Sequence, residues 1–350
     1  MSNDLLTLLL GDAETAAQLS PDAELTAILL FESALAIAEA AEGVIPAEAA
    51  AAITLKLANL TLDQDALRDG AAKDGVIIPA LVAQLRAEVG EPFANFVHFG
   101  ATSQDAVDTS LIIRLSAILT LFEQRLHAIT ERHLALAAAY GPKPLMARTR
   151  MQEALPITVA DRIAAWQSPL DRALTRLDEL RPRLLVLQLG GPVGTLGELG
   201  DKRDAVTRRL AEALGLGHRA QSWHTQRDAI AELGNWLSLV TGALGKIGQD
   251  VALMAQNPIG EIALAGAGGS SAMPHKQNPV KAEVLVALAR YNAALLGGLH
   301  QSLVHEQERS GAAWTLEWLV LPQMLLCTGA SLRTAIELQN SITALGKANG

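Results

Sequence analysis

The sequence predicts an all-α fold, a long helical bundle with a smaller helical N-terminal domain, on three observations. Half of the 350 residues are hydrophobic, enough to bury a substantial core, yet only 3% are aromatic. The apolar content is mainly Ala and Leu, with little of the Val, Ile, Thr and Tyr alternation that marks strands. Helical periods also run unusually far. From Asp108, "DTSLIIRLSAILTLFEQRLHAITERHLALAAAYG" continues without Pro or Gly for roughly 30 residues, about 50 Å at 1.5 Å per residue.

The elements follow in order. Ser20 ahead of Pro21, Asp22 and Glu24 marks a helix start with proline in the first turn, and the apolar pattern runs on to Gly43. Shorter patterns at "PAEAAAAITLKLANL", "DQDALRDGAAK" and "PALVAQLRAEVG" complete an N-terminal domain over residues 1–105. Residues 106–350 form the bundle, in which long patterns recur at 157–184, 225–256, 279–308 and 315–345. In "LGNWLSLVTGALGKIGQDVALMAQ" and "VLVALARYNAALLGGLHQSLV" small and apolar residues run nearly around the helix. Such helices bury most sides and approach closely, which predicts a homo-oligomer.

Several classes are excluded. A net charge of −9 leaves no Lys/Arg stripe for nucleic acid. The opening "MSNDLLTLLLGDAET" has too short an apolar run and no basic residue for a signal, and no run reaches the roughly 18 apolar residues of a membrane span, so a cytoplasmic protein is expected. Cys327, in "QMLLCTGASL", reads as a buried structural thiol. His300 and His305 are five apart and "HEQER" does not complete a His-Glu-x-x-His pattern, so neither metal nor cofactor is expected.

Three segments stand out from the Ala/Leu background. "HFGATSQD" (98–105) carries His98 and the donors Thr102, Ser103 and Gln104; its Thr, Ser and Asp105 equally suit a capped helix start. In "ARTRMQEALPITVADR", Arg148, Arg150 and Gln152 alternate along an extended stretch, a pattern for gripping carboxylates or a solvated basic loop. "GGSSAMPHKQNP" (268–279) is a glycine run with hydroxyl, amide and ammonium donors before a helix start, a segment suited to closing over an anion. "GPVGTLGELG" (191–200) has no preceding strand and offers no dinucleotide loop.

In this order the three segments resemble the fumarase/aspartase superfamily of homotetrameric lyases. Its signature Ser-Ser-x-Met-Pro-x-Lys-x-Asn-Pro is matched in full by Ser270, Ser271, Met273, Pro274, Lys276, Asn278 and Pro279. Within it, "LRPRLLVLQLGGPVGTLGELGD", "WHTQRDAIAELGNWLSLVTGALGKI" and "LVHEQERSGAAWTLEWLVLP" most resemble the cycloisomerases of carboxylated muconates. Adenylosuccinate lyase is the nearest rival; a non-catalytic structural protein on the same fold is another.

The resemblance implies a small tricarboxylate substrate and an aci-carboxylate intermediate. A carboxylate oxygen adds to a carbon–carbon double bond and a proton is placed on the neighbouring carbon. Run backwards, the reaction removes that proton and expels the carboxylate, and Ser270 maps to the base of this direction, its alkoxide stabilised by loop amides and Lys276. His98 joins them as a catalytic residue. Thr102, Ser103, Arg148, Arg150, Gln152, Ser271, Met273, Asn278, His224, Arg227 and His305 are implied to bind substrate, with Asp105 and Glu283 as supporting groups. His224, His275 and His305 are further candidate proton carriers.

Two departures matter. Most superfamily lyases have Thr-His in the second block, whereas this sequence has Thr149-Arg150. Arginine does not give up its proton, so Arg150 is expected to clamp a carboxylate. The family pattern also continues into a small helical C-terminal domain, expected to be absent from a sequence that stops at "SITALGKANG". Each active site is implied to draw its blocks from three subunits of a tetramer.

Overall fold

The structure, a computed structural model, describes residues 4–266, 268, 269, 273 and 276–347. The roles expected of Ser270, Ser271 and His275 fall outside the described residues. Two short helices, α1 (Thr7–Leu10) and α2 (Ala13–Gln18), precede α3 (Pro21–Ala41), where the Ser20 side chain accepts from the Ala23 N–H. α4 (Ala47–Leu57), α5 (Gln64–Asp74) and α6 (Ile78–Val89) follow the shorter apolar periods.

The 38-residue α7 (Ser103–Tyr140) spans about 57 Å at 1.5 Å per residue. Next come the hairpin β1 (Pro144–Thr149) and β2 (Gln152–Thr158), then α8 (Val159–Leu184) and α9 (Arg203–Leu214). α10 (Asp228–Met254), β3 (Ile262–Leu264), α11 (Val280–Gln301), α12 (Ala312–Asn340) and β4 (Ile342–Leu345) complete the chain.

α10 packs on α8, α11 and α12, while α7 packs on α8, α12 and α3. Their inner faces share one core that includes Phe122, Trp166, Leu244, Leu285 and Met324. Small residues bring α10 and α11 close: a Cβ on Gly248 would lie 2.5 Å from the Ala282 carbonyl oxygen. A second core joins α3, α4, α6 and α9 to Val107 and Trp314.

Two expectations are corrected. The period read over 279–308 ends as helix at Gln301, so His305 and Arg309 lie on a loop. The period over 315–345 ends at Asn340, and "ITAL" pairs as β4 with β3, because β-branched Ile342 and Thr343 suit an extended edge. α11 and α12 are also long and apolar enough to cross a membrane by length and composition. They are bundle helices: α12 is mostly buried, and Asn292 of α11 donates to Thr241 and Thr328.

Candidate active site

The first block sits at the N-terminus of α7, where the carboxylate of Asp105 accepts the Thr102 N–H at 3.0 Å in a capping box. Asp105 is fully buried, and its two oxygens also accept the N–H groups of Gly190 and Gly191, both at 2.9 Å. Only glycines fit here. A Cβ on Gly190 would lie 2.5 Å from the Ser222 hydroxyl, and Gly191 has φ +67° with the Gly100 carbonyl oxygen 2.9 Å from where its Cβ would be. The glycine-rich stretch is thus a cradle for a carboxylate of its own chain.

His224 and Arg227, expected to contact substrate, are both engaged by groups of their own chain. His224 is buried with Nε2 2.8 Å from Asp105, and its carbonyl accepts from Gln104. Arg227 is buried between two carboxylates, donating from Nη1 to Asp108 at 2.7 Å and from Nε to Glu317 at 2.9 Å. Its fork is spent inside the chain, and the two carboxylates push its pKa up against the opposing effect of burial. Burial pushes the Glu317 carboxyl above its ordinary value, although Arg227 draws it down. Gln104 and Trp314 donate to Asp108 as well.

His305 is placed beside this cluster. Burial, and then Arg227, hold its pKa below the ordinary value, and neither ring nitrogen has a hydrogen-bond partner among the described residues. On the same loop Arg309 donates to the Thr102 hydroxyl at 2.6 Å. Its position was legible only as part of "HEQER", and sequence reasoning missed it. His98, Thr102, Ser103 and Arg309 therefore form the partly open face of this end.

His98 has φ +59°, a left-handed conformation uncommon for a residue with a side chain. Its Nδ1 lies 2.6 Å from the buried Glu32. Burial disfavours its charge, but Glu32 and then Asp105 outweigh that and raise its pKa.

The second block lies beyond the other end of α7. Thr149 pairs with Gln152, and Arg150 and Met151 form the two-residue turn with φ +50° and +66°. Arg150 and Gln152 are exposed at this tip, as are Thr149 and Met151, and the turn at 150–151 interrupts the single extended stretch that was expected. Arg148 Nη1 donates to both oxygens of the buried Glu261 at 3.0 Å, tying the hairpin to the segment before β3. It is a brace and does not offer a free fork.

That segment leads into the signature loop. Gly268 and Asn278 exchange backbone hydrogen bonds at 2.9 and 2.8 Å, and the Asn278 amide donates to the Gly269 carbonyl. Asn278 thus closes the loop's base. Lys276 is exposed, Met273 is 42% exposed, and Glu283 stands exposed in the first turn of α11.

A family model described as Lyase matches residues 14–291. The chain belongs to this lyase family. The 3-carboxy-cis,cis-muconate cycloisomerase of Pseudomonas aeruginosa is 42% identical over 343 residues, covering 96% of this chain and 75% of the relative. The enzyme of the same name from Acinetobacter baylyi is 40% identical over 315 residues, 88% of this chain and 70% of the relative. The crystal structure of the 3-carboxy-cis,cis-muconate lactonizing enzyme from Pseudomonas putida superposes with a TM-score of 0.92 at 39% identity, covering 98% of this chain and 78% of that one. Within the lyase family, these relatives agree with the cycloisomerase branch that the motifs resemble.

Proposed function

We propose that the chain is a cycloisomerase that closes 3-carboxy-cis,cis-muconate to a carboxymuconolactone in protocatechuate degradation. The observation that carries this is 42% identity to an enzyme of that name across 96% of the chain. One substrate carboxylate oxygen bonds to an alkene carbon, the double-bond electrons pass into an adjacent carboxylate as an aci-carboxylate, and a proton is then delivered to the neighbouring carbon. Ser270 and Lys276 on the signature loop and His98 at the start of α7 are assigned the proton transfers and the developing anion.

Arg150 at the hairpin tip suits a carboxylate clamp, since it is always charged and stands in the open. A lyase releasing fumarate from adenylosuccinate is the competing reading, and the Arg150 position, histidine in most relatives by resemblance, disfavours it.

The active enzyme is a cytoplasmic homotetramer with sites shared between subunits. Support comes from distance: the His98 face and the Arg150 hairpin flank opposite ends of a helix about 57 Å long. Exposed Leu239, Tyr291 and Leu319 on α10, α11 and α12 supply apolar surface for subunit packing.

The test follows the ultraviolet absorbance of the conjugated diene of 3-carboxy-cis,cis-muconate with purified protein, beside adenylosuccinate. Loss of the diene signal with adenylosuccinate untouched is expected; the reverse overturns the proposal. Mixing inactive His98→Asn and Ser270→Ala subunits should restore part of the activity. No rescue after verified subunit exchange would remove the shared site.

A further inference from the structure

α3 is an apolar helix that buries two glutamates seven residues apart, Glu32 and Glu39, among Ile28, Phe31 and Leu35. Spacing by seven places both on one face. Burying a carboxyl is costly unless it is paired or neutral, so each needs a reason. Glu32 has one, since its Oε1 is 2.6 Å from His98 Nδ1, with side-chain exposures of 1% and 11%. Its Oε2 and both oxygens of Glu39 have no hydrogen-bond partner among the described residues.

We propose that Glu32 is a positioning residue for His98, holding the ring by Nδ1 so that Nε2 is the nitrogen that moves the substrate proton. The inference rests on the cycloisomerase reading above. Nε2 makes no hydrogen bond among the described residues, whereas Nδ1 is fully committed. The Glu32 contact also fixes the ring of a residue whose backbone, at φ +59°, is in an uncommon conformation.

The surrounding charges favour the same arrangement. Glu32 and Glu39 face this region from α3, Asp105 from α7, Arg86 from α6 and Glu198 from the 197–202 turn. Burial, then Glu32 and Glu198, push the Glu39 carboxyl up to about 9, so it stays neutral at working pH. Glu32 is thus the one of the two glutamates that contacts the ring, at 2.6 Å.

The test compares wild type, Glu32→Gln, Glu32→Asp and His98→Asn by turnover against pH and by the Cε1 resonance of labelled His98, assigned by its loss in His98→Asn. In Glu32→Gln the resonance should titrate at lower pH, kcat should fall tenfold or more with KM little changed, and the alkaline limb of kcat should move to lower pH. Glu32→Asp keeps the charge but shortens the reach, so kcat should fall while the titration moves less. In the His98→Asn background Glu32→Gln should cost nothing further. An unmoved resonance, or a shifted resonance with an unchanged kcat profile, overturns the inference. A wild type inert towards the tricarboxylate, with the resonance still shifting in Glu32→Gln, sinks the proposed activity and the catalytic role of His98 with it, and leaves the contact standing.

Discussion

At its N-terminal end α7 is closed over by groups of its own chain; beyond its C-terminal end the candidate functional side chains stand in solvent. The closed end pairs Asp105 with His224 and two backbone N–H groups, and Arg227 with Asp108 and Glu317. At the open end Arg150, Gln152 and Lys276 are exposed, while the braces Arg148 and Asn278 are tied down. The buried cluster is satisfied within the subunit, whereas the tip offers its groups to solvent. Substitutions in the buried Asp105–Arg227 cluster should therefore cost stability, and those at the exposed hairpin tip turnover.

Arg227→Met should give the largest loss of stability, about 3–5 kcal/mol, because it strands Asp108 and Glu317 as buried unpaired carboxylates. Denaturant unfolding measures it, and a loss below about 1 kcal/mol would mean that the closed end is not held by this cluster. Arg150→Ala should do the opposite: kcat/KM down by roughly a hundredfold, about 2.7 kcal/mol, with an unchanged melting temperature. A melting temperature that falls with activity would make the hairpin tip structural.

A smaller, pH-dependent effect is expected from Glu39→Gln. In the folded chain Glu39 keeps its proton up to about 9, whereas in the unfolded chain it ionises near the ordinary 4.5. The folded state therefore holds the extra proton between those values, and stability falls as pH rises through that window. Glu39→Gln removes this slope, so its stability relative to wild type should improve by on the order of 1–3 kcal/mol between pH 5 and pH 8. Parallel stability curves would show that Glu39 is ionised in the fold. The smallest effect belongs to Glu283→Gln, exposed on α11, which should move stability by less than about 0.5 kcal/mol. A larger loss in the assembled enzyme would show that another subunit covers it.

What was legible in the sequence follows from range. Helix starts depend on neighbours three residues away, so Ser20 before Pro21 announced α3; α7 was read from Asp108 and begins at Ser103, where the capping alternative for Thr102 and Asp105 is the one realised. Alternation at 148–152 announced an extended stretch, which is a hairpin strand pair. α9 went unread, its period being short and its composition polar. Glu32 and Glu39 also passed unnoticed, because nothing local distinguishes a buried glutamate from a solvated one on an Ala-rich helix.

The sequence by itself determined the helical class, the order of the long helices, the lyase signature and the residue types an anionic intermediate requires. The helical class and helix order rest on periodicity and propensity, which are local; the signature and the anionic intermediate rest on resemblance to the lyase superfamily. Only the tertiary structure decided which charges are spent inside the chain: Arg227 finds Asp108 and Glu317 across 119 and 90 residues, and Arg148 finds Glu261 across 113. It also set the two candidate half-sites at opposite ends of one helix. Pairing across such separations depends on how the helices pack, and no local pattern encodes it.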